Sequence, residues 1–286
     1  MTQKVVDTHI HYWDPELLSY PWLEAVPDIA ARHGPAELQA QEAETDRFVL
    51  DKIVFMQAGS IDAHALREVE WVDALARTVD ARIVGIVADA PVEKGAAVAT
   101  DLEALQAVPR VKGVRRLIQG QPPGYGDSRN FIQGVKQLAA FGYTFDICIH
   151  HPQLGEAIRL VRACPDVHFV LDHIAKPDIK GRLFEPWKSQ LQSLAALPNV
   201  VCKISGMVTE ADLAQWTPAD LQPYVDHVVE CFGIDRVLYG GDWPVSLRGV
   251  RSWGHWVDTL GDLTYWLSAP ERHKLFHANA RRVYRV

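Results

Sequence analysis

The chain has 286 residues, with 29 Lys and Arg against 36 Asp and Glu, a net charge of −7. A hydrophobic fraction of 48% with 19 Gly and 17 Pro excludes a collagen-like or disordered chain and is enough for a real core. The acidic balance, without any Lys/Arg block, excludes an electrostatic footprint for nucleic acid or an anionic membrane, and no apolar run is long enough to cross a bilayer.

The first strand is expected at residues 5–11, ending in Asp7-Thr8-His9-Ile10-His11. Side chains two apart on a strand share a face, so His9 and His11 together can hold one divalent cation. Residues 12–47 follow, an excursion rich in aromatics (Tyr12, Trp13, Tyr20, Trp22) that is expected to cap one end of the fold. The second strand, 52–58, carries Gln57 near its end, placed to hydrogen-bond a substrate hydroxyl. A helix is expected at 63–78, where Leu66, Val69, Val72, Leu75 and Ala76 share one face. Strand three covers 82–90, then a helix at 100–108. Strand four, 111–118, delivers Arg115 inward and Arg116 outward. After a helix at 130–140, strand five at 145–150 reads Asp146-Ile147-Cys148-Ile149-His150-His151. Asp146, Cys148 and His150 share one parity. If Asp146 faces inward, so does His150, while His151, beside Pro152, also fits a loop.

Further helices are expected at 154–163, 185–196 and 218–231. They separate strand six at 168–173, ending Asp172-His173, from strand seven at 200–205, which contains Lys203. Strand eight, 236–242, ends Gly240-Gly241-Asp242 and leads into Trp243-Pro244. Helices at 252–266 and 269–282 complete the chain. Most strands are continuous apolar runs, as suits parallel strands covered on both faces. Eight strands alternating with helices predict a single-domain (β/α)8 TIM barrel over residues 1–286, with 12–47 capping its mouth. A doubly wound open sheet is disfavoured, since no glycine-rich phosphate turn follows strand one. In such a barrel the active site lies at the C-terminal ends of the strands. Strands one, five, six and eight each deliver an ionisable group there. The N-terminus lacks a signal-peptide pattern, and Cys148, Cys164, Cys202 and Cys231 are widely spaced, which together predict a cytoplasmic protein.

The strings Val6-Asp7-Thr8-His9-Ile10-His11, Asp172-His173-Ile174-Ala175-Lys176-Pro177 and Tyr239-Gly240-Gly241-Asp242-Trp243-Pro244 resemble the amidohydrolase superfamily. Within it they look most like the amidohydrolase-2 branch that contains sugar-lactone and dicarboxylate lactonases. The resemblance spans essentially the whole chain. It implies hydrolysis of an aldono-lactone such as L-fuconolactone or L-rhamnonolactone. By position it assigns His9 and His11 to the strand-one pair, His150 to strand five, His173 to strand six and Asp242 to strand eight. Arg115 stands where binuclear relatives carry a carboxylated lysine, which argues against two metals. The implied cofactor is one divalent cation, Zn2+, on His9, His11, His150 and Asp242. A metal-independent mechanism is the alternative, because the branch includes both kinds.

On this reading Asp242 is the general base and His173 a second catalytic group. Arg115, Lys203, Gln57, Trp22, His151 and Trp243 are the expected substrate contacts. The partner is a small-molecule sugar lactone, with no nucleic acid and no membrane. Nothing marks an oligomer interface, and a homo-oligomer is compatible with the pattern. A metal-dependent aromatic-acid decarboxylase and a dicarboxylate lactonase are the alternatives within the group. Outside it stand a mononuclear amidase and a non-enzymatic binding protein on a decayed barrel.

Overall fold

The computed structural model describes residues 2–286. Its eight strands are β1 (Gln3–Ile10), β2 (Phe48–Met56), β3 (Ile83–Ala88), β4 (Val111–Val114), β5 (Thr144–Ile147), β6 (Phe169–Leu171), β7 (Val200–Ile204) and β8 (Val237–Tyr239). They pair in chain order, all parallel. The last strand is joined back to the first just past its end. The Asp242 amide donates to the His9 carbonyl at 2.7 Å and the His11 amide to the Trp243 carbonyl at 2.8 Å. The fold is the expected (β/α)8 barrel.

The helices are α1 (Pro35–Glu42), α2 (Ala65–Thr78), α3 (Ala99–Gln106), α4 (Arg129–Phe141), α5 (Leu154–Ala163), α6 (Trp187–Ala195), α7 (Pro218–Phe232), α8 (Trp253–Leu263), α9 (Ala269–His273) and α10 (Asn279–Tyr284). Their limits follow local chemistry. Ser252 accepts from the His255 amide at 3.0 Å and starts α8. Thr217 and Asp220 form a capping box around Pro218 at the start of α7. Gly142, at φ +65°, ends α4 in the left-handed conformation that glycine adopts freely.

Alternation along the strands divides the core into two layers. Ile53, Phe55, Ile86, Phe145, Phe169 and Ile204 face outward and pack on Val72, Leu102, Leu138, Leu160, Leu191 and Val225 of the helices. Val6, Val54, Met56, Val87, Val170 and Leu238 face inward, and Ala280 and Tyr284 of α10 close the interior from the N-terminal end. In the excursion, Trp13, Leu18, Tyr20, Leu23 and Ile29 pack on Ala58 in a satellite cluster. Its first half lies over the mouth, whereas α1 runs along the flank beside α8.

The strands stop earlier than their apolar runs suggest. Strand four ends at Val114 and not 118, strand five at Ile147, strand six at Leu171 and strand eight at Tyr239. The ionisable groups sit just beyond these ends, where the chain has left the hydrogen-bond ladder. Alternation therefore cannot assign their direction, and local turn geometry does so instead.

Candidate active site

Asp242 is the hub. Its Oδ1 lies 3.7 Å from His9 Nε2, 3.6 Å from His11 Nε2 and 3.8 Å from His173 Nε2. All four side chains are buried. The backbone is bent to make this convergence. Asp242 adopts φ +53°, and the run His173, Ile174, Ala175, Lys176 lies at φ +53°, +50°, +63° and +46°. Such left-handed conformations cost roughly 1–2 kcal/mol per residue, and strain of this kind collects at functional sites. The run turns His173 inward and brings Lys176 over the mouth, and Trp187 Nε1 anchors it by donating to the Ile174 carbonyl at 2.7 Å. Gly206, at φ +58°, lies beneath the His173 ring, where a Cβ would collide with it.

A second layer holds this one from below. The Asp7 carboxylate accepts from the amides of His9 (2.9 Å) and Gly241 (2.8 Å) and from Trp253 Nε1 (2.8 Å), tying β1 to the loop after β8. Burial pushes the Asp7 carboxyl up to about 7 against these donors. Lys203 Nζ lies 2.7 Å from Asp146 Oδ2 and 3.0 Å from Asp172 Oδ1. Arg115 Nη1 is 3.3 Å from Asp172 Oδ2, and its Nη2 donates to the Gln57 carbonyl at 2.7 Å. Tyr284 donates to Asp146 from α10. Two buried carboxylates thus face two buried cations, the pairing that low dielectric demands.

Charge is distributed to suit ligation. Burial lowers all three imidazoles, His9 and His173 strongly, so they are neutral bases. Burial also works to raise the Asp242 carboxyl; the Lys176 cation, and His173 or His11 whenever one carries a proton, outweigh it and hold the carboxyl below its ordinary value. His11 Nδ1 lies 2.8 Å from the Met56 carbonyl, which can only accept. The proton therefore sits on Nδ1, and the Nε2 lone pair points at Asp242. A lone pair turned on a carboxylate oxygen in this way is repelled unless a cation stands between them; His9 Nε2, for its part, lies 3.2 Å from Arg115 Nη1. Ligands at about 2.1 Å in a tetrahedron are about 3.4 Å apart, near the 3.6–3.8 Å from Asp242 Oδ1 to each imidazole. One oxygen or nitrogen from each of His9, His173 and Asp242 falls within 4.8 Å of the others. These residues fit a divalent cation such as Zn2+. A second grouping, Cys148, Asp172 and His173, is also that close, but its Asp172 is already committed to Lys203 and Arg115.

Above the hub opens a cavity of about 660 Å³, with His11, Arg115, His173 and Asp242 at its floor. Lys176, Glu210 and Arg248 stand at its sides, and Trp22 and Ile29 of the excursion lie opposite.

The sequence profile described as Amidohydrolase matches residues 6–286. The chain belongs to the amidohydrolase family. Two L-fucono-1,5-lactonases are among the relatives of this amidohydrolase. That of Burkholderia multivorans is 29% identical over 304 residues, covering 98% of this chain and 95% of its own. That of Burkholderia ambifaria is 29% identical over 298 residues, with the same coverage of 98% and 95%. A solved amidohydrolase from Burkholderia multivorans with bound Zn superposes with a TM-score of 0.86 at 26% identity, over 100% of both chains.

In this amidohydrolase His9, His11, His173 and Asp242 come together as their motifs suggest, and Arg115 and Trp22 line the cavity. Other expectations need correction. His150 is not in the ligand cluster; it stands exposed at the rim, because β5 stops at Ile147 and parity is lost beyond it. Cys148 points into the cavity instead. His151 begins a short helical turn and does not line the cavity. Lys203 cannot reach a substrate, because it is fully buried between Asp146 and Asp172. The Gln57 side-chain oxygen accepts from the Gly59 amide at 2.6 Å, its backbone carbonyl holds Arg115, and Gln57 does not line the cavity. Trp243 is fully buried, with its Nε1 donating to Gln41 at 2.9 Å.

Sequence reasoning missed Lys176 and Glu210 as cavity residues. Lys176 stands inside one of the quoted motifs, but only its positive φ aims it at the mouth. Glu210 lies in a loop with no motif, and its signal is purely spatial.

Proposed function

We propose that this protein opens a sugar lactone of the L-fuconolactone type to its hydroxy acid. The convergence of three neutral imidazoles on an ionised Asp242 at a cavity floor carries the reading. The names of the lactonase relatives support it. Water adds to the ring carbonyl while Asp242 takes its proton. The tetrahedral intermediate collapses, the ring C–O bond breaks, and Asp242 returns the proton to the departing alkoxide. Arg115 lines the floor of the cavity, and its guanidinium charge is placed to stabilise the developing oxyanion. A divalent cation on His9, His11, His173 and Asp242 would, when bound, polarise the carbonyl and make water more acidic.

The cavity cations favour a neutral substrate over a dicarboxylate. Arg115 faces Asp172 at 3.3 Å, Arg248 faces Asp28 at 3.1 Å, and Lys176 faces Glu210 at 3.9 Å. Each has a carboxylate partner.

A pH-indicator assay on aldono-1,4- and 1,5-lactones, in weak buffer with Zn2+ supplied, tests the proposal. Acid release from a few stereochemically related lactones is the expected result. If no lactone releases acid, the reading is wrong.

A further inference from the structure

The wall opposite the catalytic floor is hydrocarbon. Trp22, Val26, Ile29, Ile61, Leu117 and Val245 line it. They come from the excursion and from the loops after β2, β4 and β8, so separate segments converge on one surface. Trp22 presents only its ring there, because its Nε1 is already donated to the Ala58 carbonyl at 2.8 Å. Gly59, at φ +74°, lets that ring pack down, and a Cβ there would sit 3.2 Å from the indole nitrogen. Ile61 is 38% exposed, a large apolar side chain with nothing of this chain covering it. The Arg248 guanidinium lines the same cavity, and it is paired with Asp28 at 3.1 Å.

A hydroxyl desolvated against such a wall gains no partner, so this surface suits a part of the substrate that carries no hydroxyl. Size points the same way. A deoxyhexonolactone, at roughly 30 Å³ per non-hydrogen atom (the share of a water molecule in the liquid), fills roughly half of the cavity. Hydrocarbon side chains bound a large part of this cavity.

We infer that the site takes, attached to the lactone ring, an apolar substituent of several carbons, seated on the wall formed by Trp22, Val26, Ile29, Ile61, Leu117 and Val245. The inference rests on the lactonase reading for the ring, and adds the group attached to it. The ring meets Asp242 and Arg115, and the substituent runs up beneath the excursion.

A series of δ-lactones bearing n-alkyl chains from methyl to heptyl tests it, on the whole protein with Zn2+ supplied. The expected result is a kcat/KM that rises about three- to fourfold per methylene until the wall is covered. Val26→Asp should lower kcat/KM more for the heptyl than for the methyl member. Calorimetric titration with the ring-opened hydroxy acids gives a readout without turnover, and Kd should fall with chain length. If aldono-lactones are hydrolysed and the alkyl series is flat or falling, the inference is wrong and the lactonase reading stands. If no lactone turns over but Kd still falls with chain length, the apolar subsite stands and the lactonase reading fails. If neither turnover nor Kd responds to chain length, the apolar subsite is wrong.

Discussion

Asp242 and Lys203 are both buried charged residues at strand ends, and their surroundings give them opposite tasks. Asp242 opens onto the cavity, and neutral imidazoles surround it. Asp242→Asn keeps size and hydrogen-bonding capacity but removes the proposed base. It should cut kcat by about 10²–10⁴-fold and leave the circular dichroism spectrum unchanged. Near wild-type turnover would remove Asp242 from the mechanism. Lys203 is sealed between Asp146 and Asp172. Lys203→Met leaves two buried carboxylates with one cation fewer. Urea unfolding should show a loss of about 3–5 kcal/mol, the usual result of breaking a buried pair from one side. A fully stable Lys203→Met protein would show that the ionic layer does not hold the floor. The residue types at these positions were legible in the sequence. That Lys203 is a strut and not a substrate contact was not, because depth below the cavity leaves no local mark.

At the scale of elements, caps and turns place the site more than strand alternation does. β5 illustrates this. Asp146 lies on the strand and points inward as its parity requires, while His150 lies three residues past the end and does not. The turn at His173–Lys176 shows the same thing in reverse, since four consecutive positive φ values aim side chains that no periodicity could assign. Helix starts are more readable, because the cap acts through its own neighbours. Ser252 starts α8, whose Trp253 braces Asp7. Ser252→Ala should cost about 1 kcal/mol in urea unfolding. The same variant should retain kcat, because Trp253 keeps its bond to Asp7. A larger fall in kcat than in stability would mean that the cap also positions the floor.

Across the whole molecule, buried carboxyls make stability depend on pH. Glu68 of α2 lies beneath the excursion, with its carboxylate oxygens 3.3 Å from the Ala58 amide. Burial raises its pKa from an ordinary 4.5 to about 8. Between these values the folded protein holds a proton that the unfolded chain releases. Stability from this group is therefore full below pH 4.5 and declines as pH rises through 8. Glu68→Gln removes the titration and keeps the shape. The melting-temperature difference, variant minus wild type, should be near zero at pH 4.5 and grow positive toward pH 8.5. A difference that does not change with pH would show that Glu68 is ionised throughout. Asp7, raised by burial to about 7, contributes with the same sign. Among the described residues no helix is long and apolar enough to cross a membrane.

The sequence by itself determined the architecture. Eight apolar runs alternating with amphipathic segments can bury both faces of a parallel sheet in few ways, and the closed barrel is the one without exposed edges. It also determined the main chemistry, because His9, His11, His173 and Asp242 stand in short motifs at strand ends, which the barrel must gather at one face. Only the tertiary structure decided the rest. It set His150 at the rim, sank Lys203 and Trp243 into the interior, turned the Gln57 amide onto Gly59 and raised Lys176 and Glu210 beside the cavity. The reason is range. Period and motif act over a few residues, whereas these placements depend on partners far away in the chain, such as Asp146 with Lys203, 57 residues apart, and Asp7 with Trp253, 246 residues apart.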